Sequence, residues 1–358
     1  MEVDRSPATG RTLNHVGHGV PPGINLTGVT MFFAANVSGG VGPLTVELLS
    51  GGRSNLTYRI VGPDGQWVLR RPPLGHILPT AHDMAREYRV LTALSAVGAQ
   101  VPATFALCED ASVTGAPFYV MEFRRGLVMG EEFEDVGPPD EISRTTLSRS
   151  VVDALVQLHA VDYEAVGLGD FGRPAGYLER QIRRWVEQWD RSKTREVAAF
   201  EPLVAALRTG LPQSPTPTVV HGDFRLGNIV VKTDPWSVDA ILDWEMATLG
   251  DPLADLGWLL MSWGQADDSE EELDLLRMGG TFQTGYWNRG QLAAEYGRLS
   301  GRDVSAANWY ESFAHFKRAV VIEGIHNRYL QGLTVGPGFE RYGHAPFCME
   351  YALHLLST

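Results

Sequence analysis

The hydrophobic pattern changes period near residue 124, and that change restricts the chain to an architecture of two unlike parts. From Leu44 onward apolar and polar residues alternate through LTVELL, LTYRIV and WVLR, with SGGRSN between the first two runs and a PDG turn between the second and third. Period-two alternation suits strands with one buried face, and tight turns join such strands antiparallel. The stretch from Thr80 to Val97 carries Ala, Met, Tyr, Val and Leu at helical spacing, which predicts a helix on those strands with Thr80 as N-cap and Gly98 as stop. VPATFALCED and APFYVMEF then read as two more strands. Three strands, one helix and two strands make a small α+β part ending near Phe123.

Beyond Arg125 the text turns to long helical stretches such as SRSVVDALVQLHAV and YLERQIRRWVEQWDR, interrupted by the Pro-rich LPQSPTP at 211–217. The exception runs from TVVHGDFRLGNIVVK through VDAILDWE, where short β-branched runs flank polar, Gly-containing loops. At 358 residues the chain exceeds one ordinary core. The expected division is an N-terminal arm and lead-in helix at 1–43, a small lobe at 44–124 and a mostly helical lobe at 125–358.

Composition excludes more than it identifies. An apolar fraction of 44% supplies real cores, and a net charge of −13 argues against a broad grip on nucleic acid or anionic membrane. Cys108 and Cys348 lack metal-ligand or redox spacing and read as small buried residues. The first residues lack the apolar core of a signal peptide, and no run reaches the length of a membrane span, so the expected location is cytoplasmic. Oligomeric state is not readable here.

The chemistry concentrates in His221-Gly222-Asp223-Phe224-Arg225-Leu226-Gly227-Asn228, an acid and an amide five positions apart on one tight loop. That is the H-x-D-x-x-x-x-N spacing of a phosphoryl-transfer loop, in which Asp223 accepts the proton of the attacking hydroxyl and the Asn228 side-chain oxygen is a hard ligand for Mg²⁺. Asp243, after one short hairpin in Asp243-Trp244-Glu245, stands where a second metal-holding acid is needed. Upstream, Ser50, Gly51, Gly52, Arg53, Ser54 and Asn55 form a turn whose glycines let backbone N–H groups approach phosphate oxygens. Arg70 on the third strand and Glu87 on the following helix stand where a phosphate-binding cation and its carboxylate partner are expected, with Arg in place of the usual Lys.

SGGRSNLTYRI, WVLRRPPLG, AREYRVLTAL, PFYVMEF, VVHGDFRLGNIVV, ILDWEMATLGDPLADLGWLL and GIHNRYLQG span about residues 44–332. Together they resemble the aminoglycoside phosphotransferase and choline kinase group of kinase-like enzymes, in particular a branch that includes the kinase-like domains fused to some acyl-CoA dehydrogenases. The resemblance implies an α+β, bilobal protein-kinase-like fold, with a small antiparallel-sheet N-lobe bearing one main helix and a larger, mostly helical C-lobe. It implies ATP and Mg²⁺ as cofactors, ATP bound between the lobes, a hinge at Met121, Glu122 and Phe123, and transfer of the γ-phosphoryl group to the hydroxyl of a small molecule. The resemblance implies a hydroxy acid or hydroxyacyl compound as acceptor more than an aminoglycoside, whereas the acidic charge of the chain points to a cationic acceptor.

Other residues carry bland readings beside functional ones. His221 reads as a brace for the loop, because Asp223 already fills the role of base. Asp251 and Asp255 in DPLAD read as an N-cap and as a tie beneath the loop. Glu245 either meets substrate or fixes the metal loop, and Glu323 on a late helix either meets a polar group of the substrate or packs. Two other functions stay in view: a nucleotide-binding pseudokinase acting as sensor or scaffold, favoured by Arg70, and a metal-dependent hydrolase on His221, Asp223 and Asp243, which lacks a further His cluster.

Overall fold

A five-stranded antiparallel sheet organises the first of two units in the computed structural model, Met1–Thr92 with Pro102–Leu127. The structure describes residues 20–50, 55–74, 83–129, 137, 140–270, 280–333, 339 and 342–357. Strands β1 (Thr45–Ser50), β2 (Leu56–Gly62), β3 (Gly65–Arg71), β4 (Thr104–Cys108) and β5 (Phe118–Glu122) lie in the spatial order β1-β2-β3-β5-β4. The registers Tyr58↔Leu69, Ile60↔Trp67 and Leu69↔Val120 gather the large apolar side chains on one face. Helix α1 (Leu26–Asn36) covers that face with Val29 and Phe33, and Phe33 meets Trp67 edge-on at 5.6 Å.

Alternation sends Arg70 and Tyr119, paired across β3 and β5, to the other face, where helix α2 (Met84–Ala96) packs. Arg71 points the opposite way, its guanidinium bonded to the carbonyls of Gly23 and Thr114. The Asp83 side chain accepts from Arg86 N at 2.9 Å and its carbonyl from Glu87 N at 3.1 Å, so the first turn is capped there, while Thr80 lies outside the described residues. Gly98 ends the helix at φ +73°, as a left-handed stop requires.

The second unit, Ala93–Val101 with Val128–Thr358, is mostly helical. Its described helices are α3 (Glu141–His159), α4 (Tyr177–Ser192), α5 (Phe200–Thr209), α6 (Leu253–Met261), α7 (Arg289–Ser300), α8 (Ala307–Leu330) and α9 (Ala345–Leu355). Helix α4 shows why such segments fold as they do: Leu178, Ile182, Trp185 and Trp189 recur at helical spacing and are buried. Helix α8 is the centre, with Trp309 Nε1 donating to the Leu207 carbonyl at 3.1 Å and Ser312 Oγ to the Ala352 carbonyl at 2.7 Å. Gly257 lets α6 close onto the Tyr310 backbone, where any Cβ would collide. Two short sheets interrupt the helices: β6 (Thr218–Val220) with β9 (Thr248–Gly250), and β7 (Ile229–Thr233) with β8 (Trp236–Ile241). Among the described residues no helix is long and apolar enough to cross a membrane.

Candidate active site

The loop that follows β6 is held from beneath before it reaches its reactive residues. Asp255 of α6, fully buried, accepts from the backbone N–H groups of His221 at 2.6 Å and Gly222 at 2.8 Å, and contacts His159 Nε2 at 3.3 Å. Burial alone would raise the Asp255 carboxyl, but the bond from His159 and the nearby His221 and Gly222 outweigh it and hold it below its usual range. Gly222 takes φ +84°, and a Cβ there would lie 2.7 Å from the Met246 carbonyl oxygen, so the turn admits only glycine. His221 accepts from Asp223 N on Nδ1 at 3.2 Å and meets the Leu242 carbonyl with Nε2 at 2.9 Å, which assigns the proton to Nε2 and commits both nitrogens.

Asp223 is thereby presented with its carboxylate oriented by three side chains. Trp258 Nε1 donates to Oδ1 at 2.6 Å, Asn228 Nδ2 to Oδ2 at 2.7 Å, and Arg225 Nε to both oxygens at 3.2 and 3.3 Å. The side chain keeps 19% of its surface exposed, so the carboxylate stays within reach of an incoming group. Because the Asn228 amide nitrogen is spent on Asp223, its oxygen is the end left for a cation.

Leu242 joins the two halves of this arrangement: its N–H donates to the Asn228 carbonyl at 2.7 Å and its carbonyl accepts from His221. The next residue, Asp243, stands at φ 66° and ψ 68°, the one positive φ outside glycine among the described residues. A non-glycine residue held left-handed costs about 1–2 kcal/mol, which places it where its side chain direction matters more than its comfort. An amide oxygen and a carboxylate from adjoining loops are hard donors that suit Mg²⁺, which keeps waters and takes further ligands from phosphate. Among the described residues no group of three or more His, Cys, Asp or Glu gathers as a metal cage, in keeping with so sparse a donor set. Glu245 sits in the 3₁₀ turn directly after Asp243, half-buried.

In the first unit the structure brings Arg70 and Glu87 together as an ion pair at 3.0 Å, with side-chain exposures of 10% and 2%. Glu87 also accepts from Tyr119 OH at 3.0 Å and from Asn55 Nδ2 at 3.1 Å, so Asn55 belongs to this cluster. Of Ser50 only the strand backbone is described, and Gly51, Gly52, Arg53 and Ser54 lie outside the described residues. Met121 is buried on β5; the Glu122 carboxylate accepts from Ala103 N and pairs with Arg124 at 3.0 Å, and Phe123 lies under the Arg59 guanidinium at 4.8 Å.

Glu323 is buried on α8 and accepts from Thr194 N at 2.9 Å, Thr194 Oγ1 at 2.6 Å and Arg195 Nη2 at 2.9 Å. Burial pushes its carboxyl up, but these bonds outweigh it and hold it below its usual range. Its oxygens brace the turn after α4. Sequence reasoning missed two cations that act on Asp223. Arg225, two positions on, lies on the Asp223 carboxylate, and Lys317 of α8 donates to the Gly222 carbonyl at 2.5 Å. The signal for Lys317 was its place in the buried phase of α8, with Phe313 and Val320 one turn to either side.

Comparison with known proteins agrees with this geometry. Residues 45–294 match the model of a family described as the phosphotransferase enzyme family. Acyl-CoA dehydrogenase family member 10 of Mus musculus is 33% identical over 298 residues, covering 81% of this chain and 27% of that protein. The chain therefore spans about a quarter of that relative's length. A crystal structure from Ralstonia eutropha, provisionally assigned as an aminoglycoside phosphotransferase, superposes with a TM-score of 0.77 at 31% identity, over 93% of this chain and 98% of that one. Aminoglycoside phosphotransferase APH(4)-Ia, solved with ADP and hygromycin B, shares the fold with a TM-score of 0.59 at 14% identity, over 88% and 95% of the two chains.

Proposed function

We propose, for a chain that belongs to the phosphotransferase enzyme family, that it moves the γ-phosphoryl group of ATP to the hydroxyl of a small molecule. The observation that carries the reading is the Asp223 carboxylate, oriented by Trp258, Asn228 and Arg225 and still partly exposed. In the proposed reaction the hydroxyl oxygen bonds to the γ-phosphorus, the bond from that phosphorus to the bridging oxygen breaks with its electron pair going to ADP, and Asp223 takes the hydroxyl proton. Asn228 and Asp243 would hold Mg²⁺, which supplies charge neutralisation at the phosphates. Arg70, fixed by Glu87, offers a phosphate-binding cation, and the 50–55 turn and Met121, Glu122 and Phe123 are assigned to the nucleotide. Catalysis of this kind rests on positioning and charge more than on covalent chemistry.

For the acceptor we favour a hydroxy acid or hydroxyacyl compound. Charges of both signs meet around Asp223: Arg225 lies on its carboxylate and Lys317 behind the loop, while Asp255 sits beneath it, so the preference rests on similarity to an acyl-CoA dehydrogenase family member rather than on charge. Glu245 is the acidic residue proposed to meet the substrate, while Glu323 contributes through the turn it braces.

One observation favours a nucleotide-binding pseudokinase as the second reading: Arg70 stands where Lys is usual. Thermal unfolding with ATP, with and without Mg²⁺, separates the cases when run on the wild type and on Asp223→Asn. A Mg²⁺-dependent rise in Tm for both proteins, with ADP release from hydroxylated acceptors only in the wild type, supports the phosphotransferase. Equal rises without ADP release from either protein support the pseudokinase.

A further inference from the structure

Lys317 reaches the reactive loop from behind. Its Nζ donates to the carbonyl of Gly222, the residue before Asp223, at 2.5 Å. The same ammonium lies 4.1 Å from the ring centroid of Trp258 and 5.7 Å from that of Trp185, a range in which a cation is held by the face of an indole. Trp258 in turn donates its ring N–H to Asp223 Oδ1 at 2.6 Å. Lys317 therefore grips Asp223 by two routes, the peptide that precedes it and the indole that orients its carboxylate.

The space beside the ammonium decides what kind of role this is. Tyr177, Gln181, Gly222, Trp258 and Lys317 line a cavity of about 20 Å³. That volume accommodates one water and no substrate group. The charged and titratable groups facing Lys317 are Asp223 of the loop and Asp255 of α6, which favour its charge, Arg184 of α4, which opposes it, and the Tyr177 hydroxyl of α4.

We propose that Lys317 is a positioning residue for Asp223, and that it must carry its proton to hold the loop and the Trp258 indole in the reactive arrangement. The inference rests on the phosphotransferase reading above. Burial draws the ammonium down to about 8, so the proton is present below that pH and lost above it. Activity that depends on it falls on the alkaline side.

The test is the pH profile of basal Mg·ATP hydrolysis, with water as acceptor, in wild type, Lys317→Met and Lys317→Arg. In wild type kcat declines as pH rises through about 8; Lys317→Met lowers kcat about tenfold at neutral pH, leaves KM for ATP within about twofold and removes the decline. Lys317→Arg, which stays charged, recovers most of kcat and moves the decline out of range. Wild-type kcat and pH profile in Lys317→Met would overturn the proposal, as would an unchanged alkaline decline in Lys317→Arg. Should wild type and Asp223→Asn hydrolyse Mg·ATP equally, it is the phosphotransferase reading that fails. Tryptophan emission then judges Lys317 alone: a step near pH 8 that is absent from both Lys317→Met and Trp258→Phe upholds the grip, and no such step overturns it.

Discussion

Gly222 shows how one residue can set the geometry of a reactive loop. Its left-handed φ of +84° turns the chain so that both of its neighbouring peptides are clamped, the N–H on Asp255 and the carbonyl on Lys317. Gly222→Ala adds a methyl into the Met246 backbone at an unfavourable φ, and is expected to cost about 2–4 kcal/mol. Denaturant unfolding checks this, and a loss below about 0.5 kcal/mol would show that the turn relaxes. Much at this scale was legible: the Asp223, Asn228 and Asp243 spacing is local, and glycine between His221 and Asp223 announces a special φ. Lys317 and the Trp258 bond to Asp223 were not, because their partners lie 95 and 35 positions away and only folding brings them together.

At the scale of elements, two ion pairs tie helices to their neighbours by different means. Arg70 of β3 and Glu87 of α2 are both nearly buried. Arg70→Ala strands a buried carboxylate and is expected to cost about 3 kcal/mol, while weakening Mg·ATP binding about tenfold or more. Arg70→Lys keeps the charge and should hold affinity within about threefold. Titration calorimetry of the two variants distinguishes a phosphate role from a purely structural one, which would leave the affinity of both unchanged. Period-two alternation was enough to send Arg71 to the face opposite Arg70, whereas the pairing of Arg70 with Tyr119 comes from the register of β3 with β5.

Glu323 of α8 works on the turn after α4. Its carboxyl is depressed in the fold, so its contribution is fully present above the unfolded value of about 4.3 and is lost as pH falls through the lower folded one. Glu323→Gln should lower Tm at neutral pH and flatten the fall in stability below pH about 4. An acid limb unchanged in the variant would remove Glu323 from the account. Helical periodicity could place Glu323 on α8 but could not show Thr194 and Arg195 opposite, 129 and 128 positions earlier. At the start of α2, Asp83 accepts from Arg86 N and Glu87 N, whereas the expected cap Thr80 lies outside the described residues.

For the molecule as a whole, the order of strands and helices was readable because the hydrophobic period changes sharply and because strands and long helices declare themselves over many residues. The acceptor was not, since net charge averages over the surface while groups of both signs meet near Asp223. Family membership supports phosphoryl transfer, and under the proposed reading each unit would carry its own part: Arg70 with Glu87 in one, Asp223, Asn228 and Asp243 in the other. The most direct measurement is ADP formation from Mg·ATP across a panel of hydroxy acids, hydroxyacyl compounds and aminoglycosides, in wild type and Asp223→Asn at equal nucleotide occupancy. Turnover with an anionic hydroxylated acceptor that falls about a hundredfold or more in Asp223→Asn is the predicted result. Turnover equal in the two proteins, or none with any acceptor while Mg·ATP is bound, would contradict it.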